Sequence, residues 1–566
     1  MRDFKLDLAN ILKENIEDMT IEEILELIEI PPNKDMGDYA FPCFKLAKVF
    51  RKAPNMIAQD LSENIDKKDL IKEIKPLGGY LNFFVNKELL VKEVLNDVFS
   101  KKEKYGHNNI GEGKNVVVEF SSPNIAKPFH IGHIRTTVIG NVINNIYKAN
   151  GFNTIAINHL GDYGTQFGKL IVAIKRWGDL DVIKQNPIPE LLKLYIKFHE
   201  VAEDEPSLED EARNWFLKLE QNDKEAYELW SYIKDVSLLE FNKVYDLLGI
   251  KFDSFAGESF YSDKMPAVID EMNEKNILKD SQGAKIVDLE EFNMPPALIQ
   301  KKDGSTLYIT RDIAAAIYRK QTYDFYKNIY VVGSQQKLHF EQWMKVVELM
   351  GHKWAKDCLH VQFGMVALEE GTLSTRKGKV VFLEDVLNKA IEKTKEIINV
   401  KNPNLENIEE VSKQVGVGAV LFQELYNNRI KDYVFSWEKT LSFEGETGPY
   451  VQYAHARACS VLEKAGEFDA TNIDYSCISN EDSINIIKEI QRLPEVVELS
   501  MKKCEPHHIS RLAVDLAKAF NKFYHDNHIN VEDKNLKNAR LALVKAFKDT
   551  LKNTLNLLGI EAPQKM

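Results

Sequence analysis

The stretch that most limits what this chain can fold into is a strand–helix–strand crossover between residues 116 and 157. Val116-Val117-Val118-Glu119-Phe120 is a short apolar run between turn residues, the pattern of a strand covered on both faces. A loop holding Pro123 and Pro128 follows. From Ile131 to Asn150 the positions Ile131, Ile134, Val138, Val142 and Ile146 fall on one helical stripe, and Gly151 supplies the stop. Thr154-Ile155-Ala156-Ile157 is the next strand. Further strands are predicted at 284–288, 328–332 and 359–367, with helices at 311–323 and 337–350. The alternation predicts an α/β fold, a doubly wound parallel sheet of Rossmann-like form. A charged helical stretch at about 185–250 reads as an insertion on it.

Around that sheet the 566 residues divide into three blocks. Residues 1–112 join an amphipathic helix to a strand at Tyr80–Phe84 and predict an α+β N-terminal domain. Tyr80, Asn82 and Phe84 share one face of this strand, while Leu81 and Phe83 share the other. The strand is either a hairpin with Leu81 and Phe83 in its core or, on the Tyr80 and Asn82 side, a platform for an unpaired base. Residues 113–400 hold the parallel sheet. Residues 401–566 predict an all-α helix bundle, with stripes at Ile509, Leu512, Leu516, Phe520 and Phe523 and again from Leu541 to Leu558. Lys and Arg number 74 against 86 Asp and Glu, a formal charge of −12, so nucleic acid could be held only through local basic patches. No run of 18 apolar residues occurs, and the N-terminus mixes charges into its apolar positions, unlike a secretory signal. Cys43, Cys358, Cys459, Cys477 and Cys504 are scattered, which fits a reducing cytoplasm.

The chemistry sits in the crossover. No G-x-G-x-x-G follows the first strand, so a dinucleotide site is disfavoured. The segment reads Ser121-Ser122-Pro123-Asn124-Ile125-Ala126-Lys127-Pro128-Phe129-His130-Ile131-Gly132-His133. A helix start offers free N–H groups and the positive end of the helix dipole to a phosphate. Gly132 would leave room for its approach, and His130 and His133, three apart, could both donate to its oxygens. As a metal pair these histidines lack a third ligand at compact spacing. Cys504, His507 and His508 imitate a metal site, but Glu505-Pro506 before an apolar helix reads as a helix start. No resident metal is expected.

His130-Ile131-Gly132-His133 resembles the HIGH signature of class I aminoacyl-tRNA synthetases, and the longer string from Phe120 to Gly140 resembles the arginyl-tRNA synthetases. His159–Gly168, Tyr308-Ile309-Thr310-Arg311-Asp312, Gln336-Lys337-Leu338-His339-Phe340 and Gly448–Arg457 add to it in the family's order, across nearly the whole chain. The second signature, KMSKS, is degraded to Thr372-Leu373-Ser374-Thr375-Arg376-Lys377-Gly378, with Thr375 where the catalytic lysine would stand. The missing charge could come from Arg376, Lys377 or Lys127, the last being the position thought to compensate in such family members.

The resemblance implies ATP-dependent attachment of L-arginine to its tRNA through an arginyl-adenylate, with magnesium arriving on ATP. It assigns catalysis to Lys127, His130, Gly132, His133, Arg376 and Lys377. ATP would also meet Gly333, Gln336 and Ser374. Arginine's amino and carboxylate ends would meet Ser122, Asn124 and His133, and its guanidinium Glu258, Tyr308, Asp312 and Gln336. A guanidinium is a permanent planar cation, so carboxylates are the partners its pocket should offer. Without the resemblance, Asp312 reads as a helix N-cap or a partner of Arg311 or Arg319. The tRNA would contact Tyr80 and Asn82 at its elbow, and Tyr450, Arg457 and Met566 near the anticodon. A cytoplasmic monomer, independent of membranes, is the expected form. Two rival classes are weaker. A small-molecule adenylyltransferase needs neither the leading block nor the helical tail, and a non-catalytic RNA-binding paralogue would be expected to lose His130 and His133. A cysteinyl enzyme needs zinc-binding cysteines, and the catalytic block holds Cys358 alone.

Overall fold

Four apolar strands pair in parallel, in the order Cys358–Phe363, Lys327–Gly333, Asn115–Glu119, Asn153–Ile157. The computed structural model describes residues 3–302, 304, 307–368, 381–466 and 468–566. From the strand Asn115–Glu119 the chain crosses to Asn153–Ile157 on one side and returns as Lys327–Gly333 on the other. The strand order therefore reverses at Asn115–Glu119, and the crevice beyond the carboxyl ends there is where such sheets bind ligands. The crossover helix begins as one tight turn, Ile131–His133, and continues as Ile134–Ala149. Gly151, at φ +80°, ends it. Gly140 faces the sheet so closely that a Cβ would stand 2.1 Å from Phe120 Cβ, so only glycine lets the helix settle on the strand.

Two expectations change. The strand Ala284–Val287 does not join the parallel sheet; it is the middle of an antiparallel sheet with Leu278–Ser281 and Ala297–Gln300. The reason lies in Gln282-Gly283, both at positive φ (51° and 85°), a two-residue turn that can only fold a hairpin back on itself. The run 359–367 is likewise two strands. Cys358–Phe363 stays in the parallel sheet, and Val366–Leu368 pairs with Tyr433–Phe435. The insertion is helical as expected, with Pro187–Asp204, Ser207–Glu220 and Lys224–Leu248.

The chain groups into two compact units. One holds Gly106–Ala456, Pro494–Val514 and Lys552–Met566, and includes the parallel sheet. The other holds Met1–Tyr105, Arg457–Leu493 and Asp515–Leu551. In this second unit Tyr80–Val85 is the central strand of an antiparallel sheet, flanked by Tyr39–Pro42 and Ile71–Leu77, with Gly78-Gly79 (φ 56° and 87°) as the hairpin turn. The helices Lys87–Lys101 and Glu481–Gln491 pack together there, and Tyr105 donates to the Ile490 carbonyl at 2.9 Å. Phe520 and Phe547 stack at 4.1 Å in the same unit. Among the described residues no helix is long and apolar enough to cross a membrane.

Candidate active site

The loop that leaves Asn115–Glu119 is held in a costly conformation. Ser121, Ser122 and Ala126 have φ of 70°, 47° and 59°, a region that residues with a Cβ avoid. A buried polar network fixes them. Ser121 N donates to Thr136 Oγ1 at 3.1 Å, and its hydroxyl meets Tyr245 OH at 2.8 Å and Thr137 Oγ1 at 2.9 Å. Ser122 N donates to Asn158 Oδ1 at 3.2 Å, whose amide donates to Tyr245 OH at 2.9 Å. Ala126 N donates to Ser237 Oγ at 2.9 Å. Tyr245 and Ser237 come from the inserted helix Lys224–Leu248, so the insertion buttresses the loop. Strain held this way is typical of sites that must be set before a ligand arrives.

The histidine pair follows on this base. Gly132 N donates to His130 Nδ1 at 3.1 Å, and His130 N donates to His133 Nδ1 at 3.2 Å. With its Nδ1 taken as an acceptor, the uncharged His130 ring carries its proton on Nε2, which leaves Nε2–H as its free donor. His133 Nδ1 lies 3.2 Å from His130 N and also 3.3 Å from the His130 carbonyl, an acceptor to which it can donate in the other tautomer. The rings lie 4.0 Å apart, and His133 stacks on Phe129 at 5.2 Å. Burial pushes the His130 imidazole down, and burial with the neighbouring His130 pushes His133 down to about 3. Both rings are therefore uncharged near neutral pH. A Cβ on Gly132 would meet the His130 ring at 2.8 Å, a steric reason for glycine that stands beside the expected phosphate approach. The same turn is tied to the start of the helix Leu383–Lys401, where Ile131 N donates to Val381 O at 3.2 Å and Leu383 N to Phe129 O at 2.9 Å.

Acidic groups gather beside the sheet's carboxyl ends. Glu258 Oε2 accepts from Arg311 Nη1 at 2.8 Å, and the Arg311 guanidinium lies over Tyr163 at 4.3 Å and Tyr308 at 5.4 Å. Burial pushes the Glu258 carboxyl up to about 7; Arg311 pulls against this, while Asp312, Asp162 and Glu119 push with it. Asp162 is fully buried and holds the Gly257-Glu258-Ser259 turn by accepting from Ser259 N and Oγ at 2.8 and 2.9 Å, with Lys234 Nζ at 2.8 Å. Asp312 pairs with neither Arg311 nor Arg319; its Oδ2 lies 2.5 Å from His339 Nε2. Arg319, fully buried, takes Glu119 at 2.6 Å. These partners span the sequence, and no local pattern reveals them.

The remaining predicted residues fall in several places. Ser122 is half-buried in the strained loop, while Asn124 and Lys127 are exposed along it. Gly333 ends the strand Lys327–Gly333, and Gln336 is exposed at the end of the turn Ser334–Gln336. Tyr308 is exposed at the start of the helix Tyr308–Tyr323, one turn before Asp312. Ser374, Arg376 and Lys377 lie outside the described residues. Tyr80 is half-buried, edge-on to Phe44 at 5.3 Å, and Asn82 is buried at 4% exposure, so in the free chain the two do not form one open face. Tyr450 is half-buried. Arg457 donates to Asn521 Oδ1 at 2.5 Å, and Met566 packs against Ile398, Val411 and Val415. Candidate metal-ligand atoms of Glu505, His507 and His508 lie within 4.8 Å of one another. Lys503, Arg511 and Arg429 add positive charge around these histidines, which opposes a divalent cation.

A parallel sheet with a His-x-Gly-His turn at its reversal point is the arrangement of the class I tRNA synthetases, and the family described as "tRNA synthetases class I (R), catalytic domain" matches residues 94–437. The "Arginyl tRNA synthetase N terminal domain" matches residues 6–85, and the "DALR anticodon binding domain" residues 451–566. Arginine–tRNA ligases of Clostridioides difficile and Halothermothrix orenii are 66% and 64% identical over 566 residues, covering all of both chains. The arginyl-tRNA synthetase of Thermus thermophilus superposes with a TM-score of 0.82 at 25% identity, over 99% of this chain and 100% of that one. That of Plasmodium falciparum gives 0.78 at 26%, over 99% and 98%. The chain belongs to the arginyl-tRNA synthetase family.

Proposed function

We propose that the chain joins L-arginine to its tRNA in two steps. An arginine carboxylate oxygen attacks the α-phosphorus of ATP, the bond to pyrophosphate breaks, and arginyl-adenylate forms. A hydroxyl of the tRNA's 3′-terminal adenosine then attacks the activated carbonyl, and AMP leaves. Such a reaction asks the protein for positioning and charge stabilisation above all. The observation that carries this reading is the His130–His133 pair at the start of the crossover helix, where the backbone contact of His130 Nδ1 leaves its Nε2–H to donate to the α-phosphate and His133 packs against it. Because both rings are uncharged, the positive charge must come from elsewhere: Lys127, Arg376 or Lys377, together with magnesium brought by ATP. Gly333, Gln336 and Ser374 serve ATP. Ser122 and Asn124 hold the ends of arginine, while Asp312, Glu258, Tyr308 and Gln336 line its guanidinium.

Tyr80, Asn82, Tyr450, Arg457 and Met566 serve the tRNA, within functional blocks 1–112, 113–400 and 401–566. The enzyme works as a cytoplasmic monomer, and bound tRNA is needed for the first step. Exchange of pyrophosphate into ATP, measured with each amino acid and with and without tRNA, tests this. Arginine with tRNA present should alone give exchange, and His130→Ala or His133→Ala should lower its rate about 10²–10³-fold, as for loss of one transition-state donor. Undiminished exchange in both variants would remove the histidines from the mechanism.

A further inference from the structure

His339 stands in the first turn of the helix Lys337–Leu349, three residues beyond Gln336 and six beyond Gly333. Its Nε2 lies 2.5 Å from Asp312 Oδ2, with both side chains partly exposed, at 25% and 30%. Among the hydrogen bonds and ion pairs of the described residues, this is the contact Asp312 makes. Glu258, the neighbouring acid, is committed to Arg311 at 2.8 Å. Charge then sorts the pocket. Arg311 already offsets Glu258, so of the two acids Asp312 is the one that no guanidinium or ammonium yet neutralises, and it is the main partner for an incoming guanidinium. An imidazole N–H can hold one carboxylate oxygen without cancelling its charge, which an ammonium or guanidinium in the same place would do. The helix start beneath His339 adds a positive dipole end that favours a carboxylate nearby.

We propose that His339 is a positioning residue for arginine selection. It holds Asp312 Oδ2, so that the carboxylate is fixed before arginine arrives and its other oxygen and remaining lone pairs are open to the guanidinium. Fixing a carboxylate that would otherwise sample several rotamers removes an ordering cost from binding. The inference rests on Asp312 being the guanidinium's partner, so its test includes that residue.

The experiment compares the full chain with His339→Ala, His339→Gln and Asp312→Asn in tRNA-dependent pyrophosphate exchange, reading KM for arginine, KM for ATP and the preference for arginine over citrulline. Loss of a hydrogen bond to a charged group predicts that His339→Ala raises KM for arginine about tenfold. KM for ATP should stay within about twofold. The glutamine amide reaches about where Nε2 does, so His339→Gln should restore most of the arginine KM. Asp312→Asn should raise the arginine KM further and erode rejection of citrulline. A His339→Ala enzyme with unchanged arginine KM beside an impaired Asp312→Asn would overturn the role of His339 alone. An unimpaired Asp312→Asn would remove the pocket assignment, and the role of His339 with it. If His339→Ala is recovered unfolded, His339→Gln against His339→Asn decides, since the shorter amide cannot reach Asp312; equal arginine KM in the two would overturn the proposal.

Discussion

Glu258 is a carboxyl whose proton affinity is decided by its surroundings: burial raises it, Arg311 pulls it down, and Asp312, Asp162 and Glu119 raise it again, to about 7. Below that pH the group is protonated and the pocket lacks one negative charge; above it the charge is present. A guanidinium entering the pocket adds positive charge, so it should bind more tightly as the pH rises through about 7 and should displace a proton on binding below it. Calorimetry of arginine binding in two buffers of different ionisation heat reads that proton directly. Glu258→Gln should abolish both the proton release and the pH dependence. A wild-type affinity flat across this range would show that Glu258 stays ionised against Arg311 throughout.

At the scale of elements, the inserted helix Lys224–Leu248 is part of the active-site architecture. Tyr245 sits in its last turn, and its hydroxyl joins Ser121 to Asn158, two groups that fix the strained turn after the first catalytic strand. Tyr245→Phe keeps the ring against Phe129 and Phe252 but leaves a buried amide donor unpaired. The cost to stability should be about 1–3 kcal/mol. Because Ser121 and Ser122 stay at positive φ only while overdetermined, the exchange rate should fall more than KM for ATP rises. Denaturant unfolding and exchange on one preparation would check both. A stable variant with wild-type rate would show that the turn is held without the insertion.

For the whole molecule, the prediction concerns how a chain of charge −12 holds a polyanion. Attraction cannot be uniform, so contacts must be local. Tyr80 belongs to a different compact unit from His130, Asp312 and Glu258. If it stacks on an unpaired base, worth about 1–3 kcal/mol, Tyr80→Ala should raise KM for tRNA about 10–100-fold and leave KM for arginine and ATP unmoved. Its contact with Phe44 gives the competing outcome, a lowered melting temperature with tRNA KM unchanged, which would remove Tyr80 from tRNA recognition. Thermal melting and tRNA titration on the same sample separate the two.

Local pattern settled what depends on near neighbours along the chain. The strand Val116–Phe120, the helix from Ile131, its stop at Gly151 and the His130–His133 spacing all follow from residue periodicity and turn chemistry, and each is present in the structure. Patterns fail where a choice between partners is made across long separations. Ala284–Val287 reads as a strand, but only pairing, forced by the Gln282-Gly283 turn, takes it out of the parallel sheet. Asn82 alternates as a surface residue would, yet its strand lies at the centre of its sheet and its side chain is buried. Asp312 met His339 rather than an adjacent arginine, and Glu258 met Arg311, because packing of helices against the sheet set which charges could touch. Hydrophobic period is a property of the chain, whereas the pairing of buried charges is a property of the packed interior, where an unpaired ion costs several kcal/mol and every partner is chosen in three dimensions.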